Sequence, residues 1–102
     1  MDTLLPQLAV AFPVEVKGAL WLEIGFGGGE HLAHMAARYP GVGIIGCETY
    51  INGIGDLLKH IDERKQDNIR VFTDDARLLI EKLPERCIEK IFILYPDPWP
   101  KT

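Results

Sequence analysis

Gly25-Phe26-Gly27-Gly28-Gly29 places four glycines in five residues, directly after an apolar run that carries a single carboxylate, Glu23. Glycines in such a turn let the backbone come close to a ligand, and a nucleotide-like cofactor is the usual reason. Glu48 closes a second apolar run, 19 residues beyond Gly29. A carboxylate at that point can accept both hydroxyls of a ribose. Asp74-Asp75-Ala76 closes a third run. An acidic side chain there can accept the exocyclic amine of an adenine. Asp75 is favoured for that contact, and a helix N-cap is its alternative. A fourth run leads into Tyr95-Pro96-Asp97-Pro98-Trp99-Pro100-Lys101, where three prolines fix φ at alternate positions. In that stiff loop Asp97 can orient an incoming nucleophile or hold a cofactor amine. Trp99 can pack under a base or close the core edge, and Lys101 can touch a phosphate or sit solvated.

Two cofactor classes share a glycine turn followed by an acidic residue. The dinucleotide fingerprint is GxGxxG. Counted from Gly25, its third glycine falls on Glu30; counted from Gly27, on Leu32. A carboxylate near a helix N-terminus would compete with a pyrophosphate for the same donors. S-adenosylmethionine has no phosphate and carries two cationic centres, an ammonium and a sulfonium. Glu23, just ahead of the glycines, is placed to complement that charge. A carboxylate inside an apolar strand is expensive unless paired; its alternative is a strand-end residue bonded to loop amides.

These groups need elements to hold them. Ala19–Ile24 reads as a buried strand. Leu32, Met35, Ala36 and Tyr39 form one face of a helix that Pro40-Gly41 ends. Strands follow at Val42–Cys47, Ile69–Thr73 and Ile88–Tyr95, with helices at about Tyr50–Lys65 and Ala76–Leu83. Residues 1–18 read as a lead-in with one short helical turn at most, and 19–102 as a βαβαβαβ core with parallel pairing and right-handed crossovers. Ending just after a strand, that core reads as an incomplete domain. The expectation is that the carboxylates of Glu23, Glu48, Asp75 and Asp97 converge at one rim of the sheet.

Composition narrows the classes further. The 102 residues are 47% hydrophobic and 25% charged, which excludes a disordered tail. A net charge of -4 means that this stretch lacks the basic surface that usually supplies phosphate contacts. No apolar run reaches the roughly 20 residues that span a bilayer, and the opening lacks the basic n-region of a signal peptide. Cys47 and Cys87 form no CxxC pair, so a reduced, cytoplasmic protein is expected. His31, His34 and His60 show no zinc spacing with them, and no metal is expected. His31 and His34 read as partly exposed helix residues.

With those anchors in order, the chain resembles the bacterial tRNA (guanine-N7)-methyltransferase family over about four fifths of its length, from Trp21 onward. The anchors are Leu22-Glu23-Ile24-Gly25-Phe26-Gly27-Gly28-Gly29, Ile45-Gly46-Cys47-Glu48, Asn68-Ile69-Arg70 with Asp74-Asp75-Ala76, and Tyr95 to Lys101. The resemblance implies an α/β, Rossmann-like class I methyltransferase fold, here a partial parallel sheet of about four strands with crossover helices that lacks the C-terminal part. It implies S-adenosylmethionine as cofactor, held by Glu23, Gly25, Gly27, Glu48, Asp75 and Asp97. It also implies a catalytic role for Asp97, a substrate contact at Lys101, and tRNA as partner. The implied reaction methylates N7 of the guanosine at position 46, in the variable loop of tRNA. That nitrogen carries a lone pair and no proton, so it can attack the methyl directly with no general base, metal or covalent intermediate; proximity and electrostatics carry the rate. The family usually has Pro-Phe after the ribose-binding Glu, where this chain has Thr49-Tyr50. Family members also continue past the Lys with a His/Arg-rich segment and further strands. The competing readings are a NAD-type nucleotide-binding oxidoreductase and a non-catalytic methyltransferase-like binding module.

Overall fold

The structure is a computed structural model that describes residues 7–11 and 18–93. Within them strand and helix alternate: β1 (Leu20–Ile24), α1 (Glu30–Arg38), β2 (Gly43–Cys47), α2 (Ile51–Arg64), β3 (Ile69–Phe72), α3 (Ala76–Ile80) and β4 (Ile88–Ile93). Asp97 and Lys101 lie outside the described residues, as does the rest of the proline-rich segment from Tyr95 onward.

The four strands form one parallel sheet in the order β3-β2-β1-β4. The order reverses at β1, which pairs with β2 on one side and with β4 on the other. That reversal is the switch point outside which open α/β sheets bind ligands, at the carboxyl ends of the strands. Glu23 falls one residue before the end of β1, and Glu48 just after β2.

Each face of the sheet has its own apolar layer. On one, Trp21, Ile44, Ile69 and Val71 meet Leu32 and Ala36 of α1 and Ile54, Leu57, Leu58 and Ile61 of α2. On the other, Leu20, Leu22, Ile45 and Cys47 meet Leu79 of α3. Central strands buried on both faces explain the near-continuous apolar runs. Gly46 lets β2 sit close under α1: a Cβ there would lie 2.5 Å from Leu32 Cδ2 and 2.7 Å from Phe26 Cδ2.

Three local features differ from the sequence pattern. α1 ends at Arg38, and Tyr39 becomes its cap, with its ring edge-on to Trp21 at 5.1 Å. α3 stops at Ile80 rather than Leu83; Lys82 and Leu83 donate to the carbonyls three residues back, a tighter turn than the α-helix. In the lead-in, Ala9 pairs in parallel with Val71, and Val10 N–H donates to Val71 O at 3.1 Å, so this segment covers the outer edge of β3. On edge strand β4, Ile91 and Ile93 remain more than half exposed.

Candidate functional site

The glycine turn between β1 and α1 depends on backbone conformations that side chains resist. Gly25, Gly27 and Gly29 have φ of 73°, 59° and 83°, a region that glycine enters at no steric cost. Gly25 N–H donates to Cys47 O at 2.8 Å, and this ties the turn to the end of β2. α2 supports the turn through Gly53, whose missing Cβ would lie 2.1 Å from Gly27 O.

Glu48 reaches across from β2 to that turn. Its Oε1 accepts Gly27 N–H at 2.8 Å; its Oε2 accepts Thr49 N–H at 2.9 Å and Tyr50 N–H at 3.1 Å. The loop-amide role considered for Glu23 is thus filled by Glu48. Each carboxylate oxygen has two acceptor sites, so Oε1 keeps one free while it holds the turn.

A cleft of about 330 Å³ opens beside Glu48, lined by Ile24, Gly25, Cys47, Glu48, Thr49, Asp74, Asp75 and Ala76. That size lies at the lower end of small-molecule sites. Asp75 sits in its wall, yet its carboxylate is already engaged as the N-cap of α3. Oδ1 accepts Arg77 N–H at 2.9 Å, and the Arg77 guanidinium lies 2.7 Å from Oδ2. These bonds to Arg77 hold the Asp75 carboxyl down at about 2. Asp74 Oδ1 accepts Asp75 N–H at 2.7 Å. Burial, with the Asp75 charge adding to it, pushes the Cys47 thiol up to about 12, so it stays protonated and is a wall rather than a nucleophile.

Glu23 departs from the expected convergence. It reaches the same carboxyl rim, but strand alternation turns it to the face covered by α1, while its neighbour Ile24 takes the cleft side. It is 1% exposed, and its Oε1 lies 2.6 Å from His31 Nδ1. When the carboxyl is ionised, Nδ1–H is the donor; when it is protonated, its O–H can donate to Nδ1. Burial raises the Glu23 carboxyl above its usual range, and the His31 hydrogen bond and charge oppose that rise. Oε2 is buried with no hydrogen-bond partner among the described residues.

Two residues of this site escaped sequence reasoning. His31 read as an ordinary helix residue, yet among the described residues it is the one side-chain partner of a buried carboxylate. The available signal was its place one residue into α1, directly beyond the glycines. Gly53 lay unremarked inside α2, where a glycine in mid-helix is itself a sign of close backbone approach.

A larger depression of about 450 Å³ lies at the opposite end of the strands, between Gln7, Leu8 and the end of α2. The smaller cleft is the better candidate, because it lies at the carboxyl ends beside the switch point. Among the described residues no group of three His, Cys, Asp or Glu side chains is arranged to hold a metal ion, and no helix is long and apolar enough to cross a membrane.

Residues 17–102 match a family model described as "Putative methyltransferase". The tRNA (guanine-N(7)-)-methyltransferase of Paramagnetospirillum magneticum is 48% identical over 115 aligned residues, covering 100% of this chain and 48% of that protein. The protein of the same name from Paracoccus denitrificans is 57% identical over 83 residues, covering 81% of this chain and 36% of that one. The chain therefore spans less than half the length of these relatives. Among solved structures, PKMT2 from Rickettsia typhi in complex with AdoHcy matches with a TM-score of 0.52 at 24% identity, covering 74% of this chain and 15% of that one. A parallel sheet with its switch point at β1, a glycine turn fixed by left-handed backbone, and a family match over 86 of 102 residues lead to one conclusion: the chain belongs to the methyltransferase family and carries part of its Rossmann-like class I fold.

Proposed function

We propose that this chain is the donor-binding part of an S-adenosylmethionine-dependent enzyme that methylates N7 of guanosine 46 in tRNA. The observation that carries the reading is the Glu48 clasp, a carboxylate that holds Gly27 N–H at 2.8 Å on the rim of the cleft. It sets a ribose acceptor and the glycine turn at one fixed spacing. The names of the relatives supply the substrate class, a guanine N7 in tRNA.

The residues present fit this cofactor. The cleft is walled by carboxylates at Glu48, Asp74 and Asp75, and Glu23 keeps a buried oxygen with no partner among the described residues at the adjoining rim. Such a set suits a cationic ligand and repels a pyrophosphate. When bound, S-adenosylmethionine supplies an activated methyl on a sulfonium. Glu48 takes the ribose hydroxyls, the Asp74–Ala76 corner meets the adenine, and the glycine turn lets backbone lie against the ligand. Guanine N7 has a lone pair and no proton to lose, so the reaction asks no general base of this chain. What the chain contributes is position and negative charge facing the donor. Asp97 orients groups around the reacting centre, and Lys101 contacts tRNA phosphate. With a net charge of -4, this stretch offers little further phosphate affinity, so the main tRNA surface lies in other parts of the protein.

The test is methyl transfer to an unmodified tRNA transcript by the whole protein of which this chain is the donor-binding part. Borohydride reduction and aniline cleavage would then map 7-methylguanosine. Cleavage at a single guanosine of the variable loop, sharply reduced by Asp97→Ala, is expected. Binding of NAD in preference to S-adenosylmethionine would overturn the reading in favour of an oxidoreductase.

A further inference from the structure

We infer that His31 is a positioning residue for the methyl donor. By holding Glu23 through Oε1, it favours the ionised form of that buried carboxyl and leaves Oε2 to meet the donor's ammonium group. The inference rests on the donor site proposed above and adds to it a residue and a pH dependence.

The geometry has three parts. Glu23 is 1% exposed at the carboxyl end of β1, two residues before the glycine turn. One of its oxygens is bound to His31 Nδ1 at 2.6 Å, and the other is buried with no partner among the described residues. A carboxylate stripped of water and left half-paired is costly. A cation arriving at the turn supplies the missing partner. The second helical residue of α1 is where such a support can act, because the glycine turn brings His31 Nδ1 to 2.6 Å from Glu23 Oε1 near the end of β1.

Among the described residues, other charged groups near this face are committed elsewhere or bear outward. On β4, Glu89 accepts Trp21 Nε1–H at 3.0 Å, and Lys90 Nζ lies 4.8 Å from the centre of the Trp21 ring. Beyond β2, Glu48 is bound to three amides. On α1, Glu30 and His34 are exposed, and on α2 so is Asp56 beside Gly28. Phe92 closes the β4 side with its ring 5.6 Å from that of His31, edge to face. Among the described residues, His31 is thus the cation-capable neighbour that reaches Glu23. Without it, burial would act on the carboxyl unopposed, and the group would take up a proton at a higher pH.

The experiment is calorimetric titration of the full chain with S-adenosylmethionine from about pH 5 to 8. A parallel titration uses 5′-methylthioadenosine, which keeps the adenosine and lacks the ammonium. His31→Leu is expected to weaken S-adenosylmethionine about tenfold at the acid end and to recover as pH rises and Glu23 ionises. His31→Gln, which keeps an N–H for Oε1 but not the charge, is expected to restore most of the lost affinity, and 5′-methylthioadenosine is expected to bind all three proteins alike. A His31→Leu protein with wild-type affinity and pH profile overturns the inference. So does one that loses both ligands equally, because the role of His31 is then only structural. If neither ligand binds the wild type, the donor site itself falls and the inference with it.

Discussion

Gly53→Ala puts a methyl group where the structure has none to spare. The added Cβ would lie 2.1 Å from Gly27 O and 2.8 Å from Gly27 C, against a floor near 3.0 Å for real contacts. Both atoms are backbone, so α2 and the glycine turn must part by about 1 Å. Such overpacking costs about 1–3 kcal/mol. Alanine in a helix recovers about 0.5–1 kcal/mol over glycine. The midpoints of those ranges leave a net loss of about 1 kcal/mol, or roughly 4–8 °C in melting temperature for a domain of this size. The displacement also pulls Gly27 N–H from Glu48, so donor affinity should fall with stability. Gly41→Ala is the control: its added Cβ has no heavy atom within 4 Å, and its φ is not left-handed. Thermal melts and donor titrations of both variants give the comparison. A Gly53→Ala protein that melts at or above the wild type with unchanged donor affinity would refute the close-approach argument.

Glu48→Ala removes the clasp and the ribose acceptor together. At about 1.5–3 kcal/mol for each hydrogen bond to a charged group, calorimetry should show a loss of S-adenosylmethionine affinity of at least about tenfold. Glu23→Gln separates stability from binding. Burial raises the Glu23 carboxyl above 4.5, so its contribution to stability is full below that value and is lost as pH rises through its folded-state value. The amide variant should therefore melt at or above the wild type at pH 8, yet bind the donor more weakly; a lower melting temperature there would count against the burial argument. Asp75 has the opposite sign. Its carboxyl is held at about 2 by Arg77, so the contribution of this pair is full above the usual carboxylate range and is lost as pH falls toward 2. Asp75→Asn should then lower the melting temperature most near neutral pH, with the gap to the wild type closing as pH falls toward 2, and a gap that widens in acid would contradict the pairing. Cys47 is buried with its thiol pushed up to about 12, so N-ethylmaleimide should label half-buried Cys87 first in the folded chain, and equal labelling would contradict the burial.

The order of the elements, their parallel pairing and their rim positions were legible in the sequence because they follow from local pattern, whereas the strand order β3-β2-β1-β4 was not. Apolar runs closed by Gly25, Glu48 and Asp74 mark strands whose carboxyl ends must share a rim once the crossovers are right-handed. The division of labour among the carboxylates was not legible. Whether Glu23 or Glu48 takes the loop amides depends on which face each side chain enters, and a run of buried residues on both faces hides the alternation. Glu48 won because it leaves β2 at the turn, whereas Glu23 lies inside β1 opposite Gly46, under α1. The His31 pairing depends on how α1 lies over β1, which its own periodicity does not encode. The capping role of Asp75 was legible as an alternative, because Asp ahead of a helix is a common cap. Its pairing with Arg77 was missed because the helix is too short to show a periodic face.

The most direct measurement is a crystal structure of the full chain with S-adenosylhomocysteine. The account requires the ribose hydroxyls on Glu48, the adenine against Asp74, Asp75 and Ala76, and the amino group toward Glu23 Oε2. A ligand bound at the amino ends of the strands, or a bound ligand with Glu48 making no contact to its ribose, would contradict it.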